Sequence, residues 1–105
     1  MPPEELHPTL WRTCRVLANS TRLHLFARLL RRQPESVSRL AEQCNVTLPV
    51  ASQSLRALEA RGLLKVKRIR LRVEYRIPTR SEAGAQAGLI AALRTALRSD
   101  PLPVE

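Results

Sequence analysis

Apolar residues recur at helical spacing along most of the chain and switch to strict alternation in one stretch. Leu10, Val16 and Leu17 supply the apolar contacts of a first short helix over residues 9–18, with Thr9 at its start. Asn19-Ser20 then breaks the pattern and offers capping oxygens to a second helix from Thr21. On that helix Leu23, Phe26, Ala27 and Leu30 recur, while Arg22, Arg28 and Arg32 lie mostly elsewhere. Pro34 drives the residue before it out of the α region, so the helix is expected to end near Arg32. Ser36 or Ser38 caps a third helix over 39–44, with Leu40, Ala41 and Cys44 inward. Asn45-Val46-Thr47 makes a tight connection, Asn being tolerant of the left-handed conformation common after a helix. Thr47 caps a fourth helix, and Pro49 falls in its first turn, where no N–H is needed. Leu55 and Leu58 face its core side, and Gly62 ends it.

Period two follows. Leu64 and Val66 alternate with Lys65 and Lys67, whereas Ile69, Leu71, Val73, Tyr75 and Ile77 alternate with Arg70, Arg72, Glu74 and Arg76. Such a change of parity across Arg68 is what a turn or bulge between two strands produces. A hairpin is predicted, its tip near residues 68–70, its cations on the solvent face and its end at Pro78. Ser81 caps a last, Ala-rich helix over 82–99, with Ala83, Ala87, Ile90, Leu93 and Leu97 on one face and a thin polar side. In so short a chain that breadth of apolar surface implies a second copy as its cover.

Charge sharpens the picture. The 105 residues fit one domain and carry 18 Lys+Arg against 9 Asp+Glu, a formal charge of +9. Residues 61–80 hold eight basic side chains and one acidic, so nearly all the excess sits in the hairpin region. That concentration reads as a footprint for a polyanion, against the alternative of a solvated face in an Arg-rich chain. The cations lie on strand-like alternation and not on an amphipathic helix, which argues against a membrane surface. Of the three aromatic residues only Tyr75 falls in the basic stretch, and on the apolar parity, so stacking platforms for RNA or single strands are lacking. Duplex DNA is the expected partner; no RNA and no membrane are expected.

Catalysis finds no foothold. There is no Gly-rich phosphate loop (the glycines are Gly62, Gly84 and Gly88), no nucleophile elbow and no metal-ligand spacing. No enzyme activity, catalytic residue, cofactor or metal is therefore expected. The longest apolar run, residues 89–93, is too short to span a bilayer, and the N-terminus does not read as a signal peptide. Two cysteines suit a reducing compartment, so the cytoplasm is expected. Cys14 and Cys44 read either as small buried hydrophobes or as a redox pair if their sulfurs met. His24 reads as a surface or partly buried histidine and not as a sensor.

Two short helices joined by a tight turn, then a basic hairpin, make a winged helix-turn-helix. The fold class is mainly α with a small β-hairpin, about five helices and a two-stranded wing. The predicted layout is a tail at 1–8 and a domain at 9–99, followed by a second tail at 100–105. Within the domain lie a helix-turn-helix at 36–61, a wing at 63–77 and a C-terminal dimerisation helix at 82–99. Leu17-Ala18-Asn19-Ser20-Thr21-Arg22-Leu23 resembles the Leu-Ala-(Asp/Asn)-x-Thr-Arg-Leu opening of ArsR-type transcriptional regulators. Leu40-Ala41-Glu42 resembles the first helix of their motif, residues 52–64 their recognition helix and wing entry, and Val73-Glu74-Tyr75-Arg76-Ile77 their returning wing strand.

The resemblance implies a homodimeric, sequence-specific binder of double-stranded DNA, usually a repressor. In such a fold the N-terminal part of the second motif helix meets base edges. Here that part holds Leu48, Pro49, Val50, Ser52, Gln53 and Ser54. Gln53 is the candidate for reading adenine, Val50 for a thymine methyl, Ser52 for a base or phosphate, and Arg56 for phosphate. Lys65, Lys67, Arg68, Arg70 and Arg72 are the candidates for backbone phosphates or the minor groove. The first and last helices form the dimer, through Leu10, Trp11, Ala87, Ile90, Leu93 and Leu97. Where metal-sensing relatives carry Cys-x-Cys, this chain has Ser36-Val37-Ser38, and hydroxyls do not replace thiolates for soft metals. The wing tip also lacks the common Gly. The apolar Leu48-Pro49-Val50 keeps an alternative open, a protein-interaction or non-specific architectural DNA-binding module.

Overall fold

The computed structural model describes residues 8–99. In chain order it contains α1 (Pro8–Leu17), α2 (Ser20–Arg31), β1 (Glu35–Ser36), α3 (Val37–Gln43), α4 (Leu48–Ala60), β2 (Lys65–Ile69) and β3 (Arg72–Arg76). A one-turn α5 (Arg80–Ala83), a 3₁₀ turn (Gly84–Gln86) and α6 (Ala87–Ser99) follow. Of the two expected tails, residues 1–7 and 100–105 lie outside the described residues, and Pro8 already belongs to α1.

Capping decides where the helices start. The Asn19 side chain accepts the Arg22 N–H at 3.0 Å, Ser36 Oγ that of Arg39 at 3.2 Å, and Thr47 Oγ1 that of Val50 at 3.4 Å. With Ser36 as the cap, α3 begins at Val37, two residues before the expected start. Asn45 turns the chain between α3 and α4 at φ 55°, and Gly62 leaves α4 at φ +76°.

The last helix departs from expectation. Thr79, not Ser81, is the cap, because Thr79 and Glu82 close a reciprocal capping box. Gly84, at φ 55°, then ends α5 after one turn, so the continuous helix expected over 82–99 is broken and resumes only at Ala87.

The wing hairpin also carries a third strand that the alternation did not reveal. The sheet order is β1-β3-β2, with Glu35 opposite Tyr75. In the hairpin Val66 lies opposite Tyr75, Arg68 opposite Val73 and Ile69 opposite Arg72. The tip is therefore the two-residue turn Arg70-Leu71, not 68–70. Residues directly opposite share a face, so Arg68, still exposed, lies on the cleft-side face of Val73 and Tyr75 and not on the outer face with Lys65 and Lys67. Ile69 goes to the outer face, 42% exposed, and Leu71 stands clear of the protein.

One core joins these parts. Phe26, Leu25, Leu29, Leu40, Leu55, Leu58, Leu63 and Leu64 are buried, with Tyr75 and Ile77 beneath the sheet. On α2 the buried set is Leu25, Phe26, Ala27 and Leu29, whereas Leu23 and Leu30 of the expected stripe are half-buried. The reason is position: α2 packs on α1, α3, α4 and α6, so it is covered on several sides. Buried Gln86 donates to Thr13 Oγ1 at 3.2 Å and to the Arg61 carbonyl at 3.0 Å, tying the C-terminal segment to α1 and to the end of α4.

Candidate nucleic-acid interface

The helix-turn-helix presents α4 by burying one side of it. Ala51, Ser54, Leu55 and Leu58 face the core, which leaves Leu48, Pro49, Val50, Gln53 and Arg56 exposed and Ser52 half-buried along the other side. Ser54, expected among the base-facing positions, is only 8% exposed and is withdrawn from that set. The cause is helical spacing: Ser54 falls between Ala51 and Leu58 on the buried stripe. Arg56 Nη1 donates to Ser52 Oγ at 2.8 Å, one turn back, so the two side chains form a unit on the helix surface.

Facing this helix across a cleft of about 930 Å³ is the wing. Arg39 and Arg56 line the helix side; Arg68, Arg70 and Arg72 line the wing side; Glu42 is the carboxylate among the lining residues. Tyr75 is at the base. Burial raises its hydroxyl pKa above the ordinary 10.0 and Glu59 adds to that, while Arg68 and Arg56 pull it down, so both guanidiniums bear on one point of the cleft. Arg72 is bound through Nε to Glu74 on the same strand, which balances part of its charge. Lys65 and Lys67 are exposed on the outer face of β2. Arg39 was not among the sequence candidates. Its place three residues after the capping Ser36, beside the apolar Leu40-Ala41 pair, is the feature that could have marked it.

A family model described as a helix-turn-helix domain matches residues 17–67, just under half of the chain. The homodimeric winged helix-turn-helix DNA-binding domain of Mb0332 from Mycobacterium bovis, a possible ArsR-family transcriptional regulator, superposes with a TM-score of 0.68 at 28% identity. That alignment covers 88% of this chain and 81% of the Mb0332 fragment. The chain has the winged helix-turn-helix fold and is similar to ArsR-family regulators. Reduced HlyU from Vibrio cholerae is similar at TM-score 0.62 and 25% identity, over 81% of this chain and 87% of that one. The transcriptional repressor BigR from Xylella fastidiosa shares the fold at TM-score 0.69 and 24% identity, over 90% and 89% of the two chains. No curated protein matches the sequence.

In this winged helix-turn-helix chain the stripe expected to form the dimer points largely inward. Ile90 is 5% exposed and belongs to the chain's own core, so it is withdrawn from the interface set. Ala87, Leu93 and Leu97 are half-buried against that core. Gly88, Ala91, Ala92, Thr95 and Ala96 form the exposed side of α6. On α1, Leu10 and Trp11 are 48% and 43% exposed, with the Arg12 guanidinium 5.7 Å from the Trp11 ring centroid.

The two cysteines differ. Cys44 is buried, and burial pushes its thiol up to about 11 against a smaller lowering by Arg28. Cys14 is exposed on α1, contrary to the reading of two buried hydrophobes. His24 is half-buried. Ser36, the first residue of the Ser36-Val37-Ser38 segment, is a helix cap. Among the described residues no three His, Cys, Asp or Glu side chains come together as a metal would need, and no helix is long and apolar enough to cross a membrane.

Proposed function

We propose that this protein is a sequence-specific transcriptional regulator that binds double-stranded DNA in the cytoplasm as a homodimer, acts as a repressor and catalyses no reaction. The observation that carries the reading is the cleft in which five arginines face one another between the exposed start of α4 and the wing. Such a cleft suits a phosphate backbone, and the attraction is independent of sequence. With a backbone seated there, the N-terminal half of α4 enters the major groove. Gln53 then pairs its amide with adenine, Leu48 and Val50 lie against thymine methyls, and Pro49 lines the same edge. Arg56, steadied by Ser52, holds phosphate. Arg39, Arg68 and Arg70 hold the same backbone, Arg72 reaches it by sharing itself with Glu74, and Lys65 and Lys67 meet the flanking phosphates.

Two copies meet through Leu10 and Trp11 of α1, the exposed side of α6, and the half-buried Leu93, Leu97 and Ala87 beside it. The homodimeric state of the similar Mb0332 fragment supports a dimer. Exposed Leu48 and Val50 favour one second reading, a protein-interaction module, but apolar contact gives the arginine cleft no task.

Selection from a random duplex library at about 0.15 M salt, where non-specific attraction is weakened, tests the proposal. A two-fold site with half-sites about 10 base pairs apart is expected. Gln53→Ala then relaxes one base position by about 1–3 kcal/mol. Arg56→Ala weakens all duplexes alike. Enrichment without a motif leaves an architectural binder; no enrichment returns the protein-interaction reading.

A further inference from the structure

We infer that the wing tip is a second sequence-reading element, in which Leu71 lies against the floor of the DNA minor groove beside each half-site and selects A·T pairs there. This rests on the duplex-binding reading above. The observation behind it is the placement of one side chain. Leu71 is 103% exposed, at the outermost point of a hairpin whose other tip residue is Arg70. None of the described residues covers it. A two-residue turn favours Gly, Asn or Asp, so an apolar side chain here does not follow from turn chemistry.

The surroundings of Leu71 say what it meets. Lys67, Arg68, Arg70 and Arg72 lie within four residues of it, so the apolar tip is carried at the most basic part of the molecule. The bond from Arg72 to Glu74 ties that guanidinium along β3, leaving Leu71 to lead. Cations on both faces of the hairpin behind one apolar point fit a groove with anionic walls and a less polar floor, which is the geometry of the minor groove; apolar wedges are a recurrent device there. Position agrees. Leu71 and Arg70 belong to the wing side of the cleft, so a backbone strand seated there with the major groove on its α4 side turns its minor groove toward the tip.

The preference for A·T is a matter of one amino group. In the minor groove A·T and T·A pairs present only acceptors, whereas a G·C pair adds the guanine N2 amino donor, which projects from the floor. Leu71 can neither accept from that donor nor pass it. Narrow A·T tracts also carry the stronger negative potential, which favours the basic tip there.

The test uses the duplex that the protein itself selects, with base analogues at the wing-facing positions. Replacing adenine by 2,6-diaminopurine adds the minor-groove amino group and leaves the major-groove edge unchanged. It is expected to weaken wild-type binding about tenfold, the size of a typical single-pair mismatch. Inosine in place of guanine, which removes that amino group, is expected to restore a weakened G·C variant. Leu71→Ser should reduce both effects to within about twofold while keeping the wild-type salt slope, since no phosphate contact is lost. A thermal melt superimposable on wild type shows that the variant is folded. Indifference of the wild type to diaminopurine overturns the inference, as does equal discrimination by Leu71→Ser. Failure to select any duplex overturns the proposed function itself, and with it this inference.

Discussion

Arg70→Gly is expected to make the protein more stable and a weaker DNA binder at once. Arg70 holds φ at 56°, in the left-handed region. A side chain with Cβ adopts that region at about 1–2 kcal/mol, whereas glycine is unstrained but loses about 0.5–1 kcal/mol more chain entropy on folding. The net gain is about 0.5 kcal/mol, a rise in melting temperature of about 2–4 °C for a domain of this size. Binding moves the other way. Each phosphate contact contributes about 0.9 to the slope of log affinity against log salt, so a dimer losing Arg70 twice flattens by about 1.8. If the two proteins bind alike at 1 M salt, the same slope makes the variant about thirtyfold weaker at 0.15 M. Thermal unfolding and a salt series of binding titrations measure the two halves separately. Unfolding alone cannot imitate a variant that melts later and binds less. A lower melting temperature would refute the strained turn. An unchanged salt slope would refute the phosphate contact, and a slope change near 0.9 would refute two bound copies.

Two further outcomes follow from groups outside the interface. The Arg76 guanidinium, bonded to both Glu82 oxygens at 2.7 and 2.8 Å, holds the Glu82 carboxyl down at about 2, and the Thr79 N–H helps. A carboxyl depressed when folded stabilises above its ordinary 4.5 and loses that contribution as pH falls toward 2. Urea midpoints of wild type should therefore drop between those values more steeply than those of Glu82→Gln; parallel curves would count against the link. In the native protein at pH 8, iodoacetamide should modify exposed Cys14 and leave Cys44, whose thiol stands near 11 behind the core. Peptide mass spectrometry reads the pattern, and comparable labelling of Cys44 would mean that α3 opens.

Local chemistry explains what was legible in the chain. Asn19, Ser36 and Thr47 are side chains that satisfy N–H groups three residues on, a contact that needs no knowledge of the rest of the fold. Asn45 and Gly62 likewise announce positive φ by residue type. What was not legible depends on partners distant in sequence. β1 is two residues long and exists because β3 offers an edge to it, so no period could reveal it. The wing tip was misplaced because Arg68 and Ile69 exchange their expected faces, and register alone decides which lies inward. Ser54 and Ile90 look like surface and interface candidates until packing shows that the core already holds them. Arg39 enters the cleft from a different element than the wing it faces; its distance from the Ser36 cap marks its place on α3, but not that the wing lies opposite.

The polar links at the rear of the molecule bear on how two such clefts are held at a fixed separation. A two-fold site is read only if each α4 and each wing keeps its place relative to the dimer axis. Between α4 and α6 stands Gln86, which donates to the Arg61 carbonyl just past the end of α4 and to Thr13 on α1. Between the wing and α5 stands the Arg76–Glu82 pair, set at the last residue of β3 and locked into the capping box. Both reading elements are thus anchored to the segment that begins α6, by directional bonds and not by apolar contact alone. Apolar packing tolerates sliding, whereas a bond whose carbonyl acceptor is left unpaired costs about 1–3 kcal/mol. A break in the helix at Gly84 therefore has a positional use: it turns Glu82 toward the wing and Gln86 toward α1 and α4, which one straight helix from residue 82 could not do with side chains four positions apart on the same face.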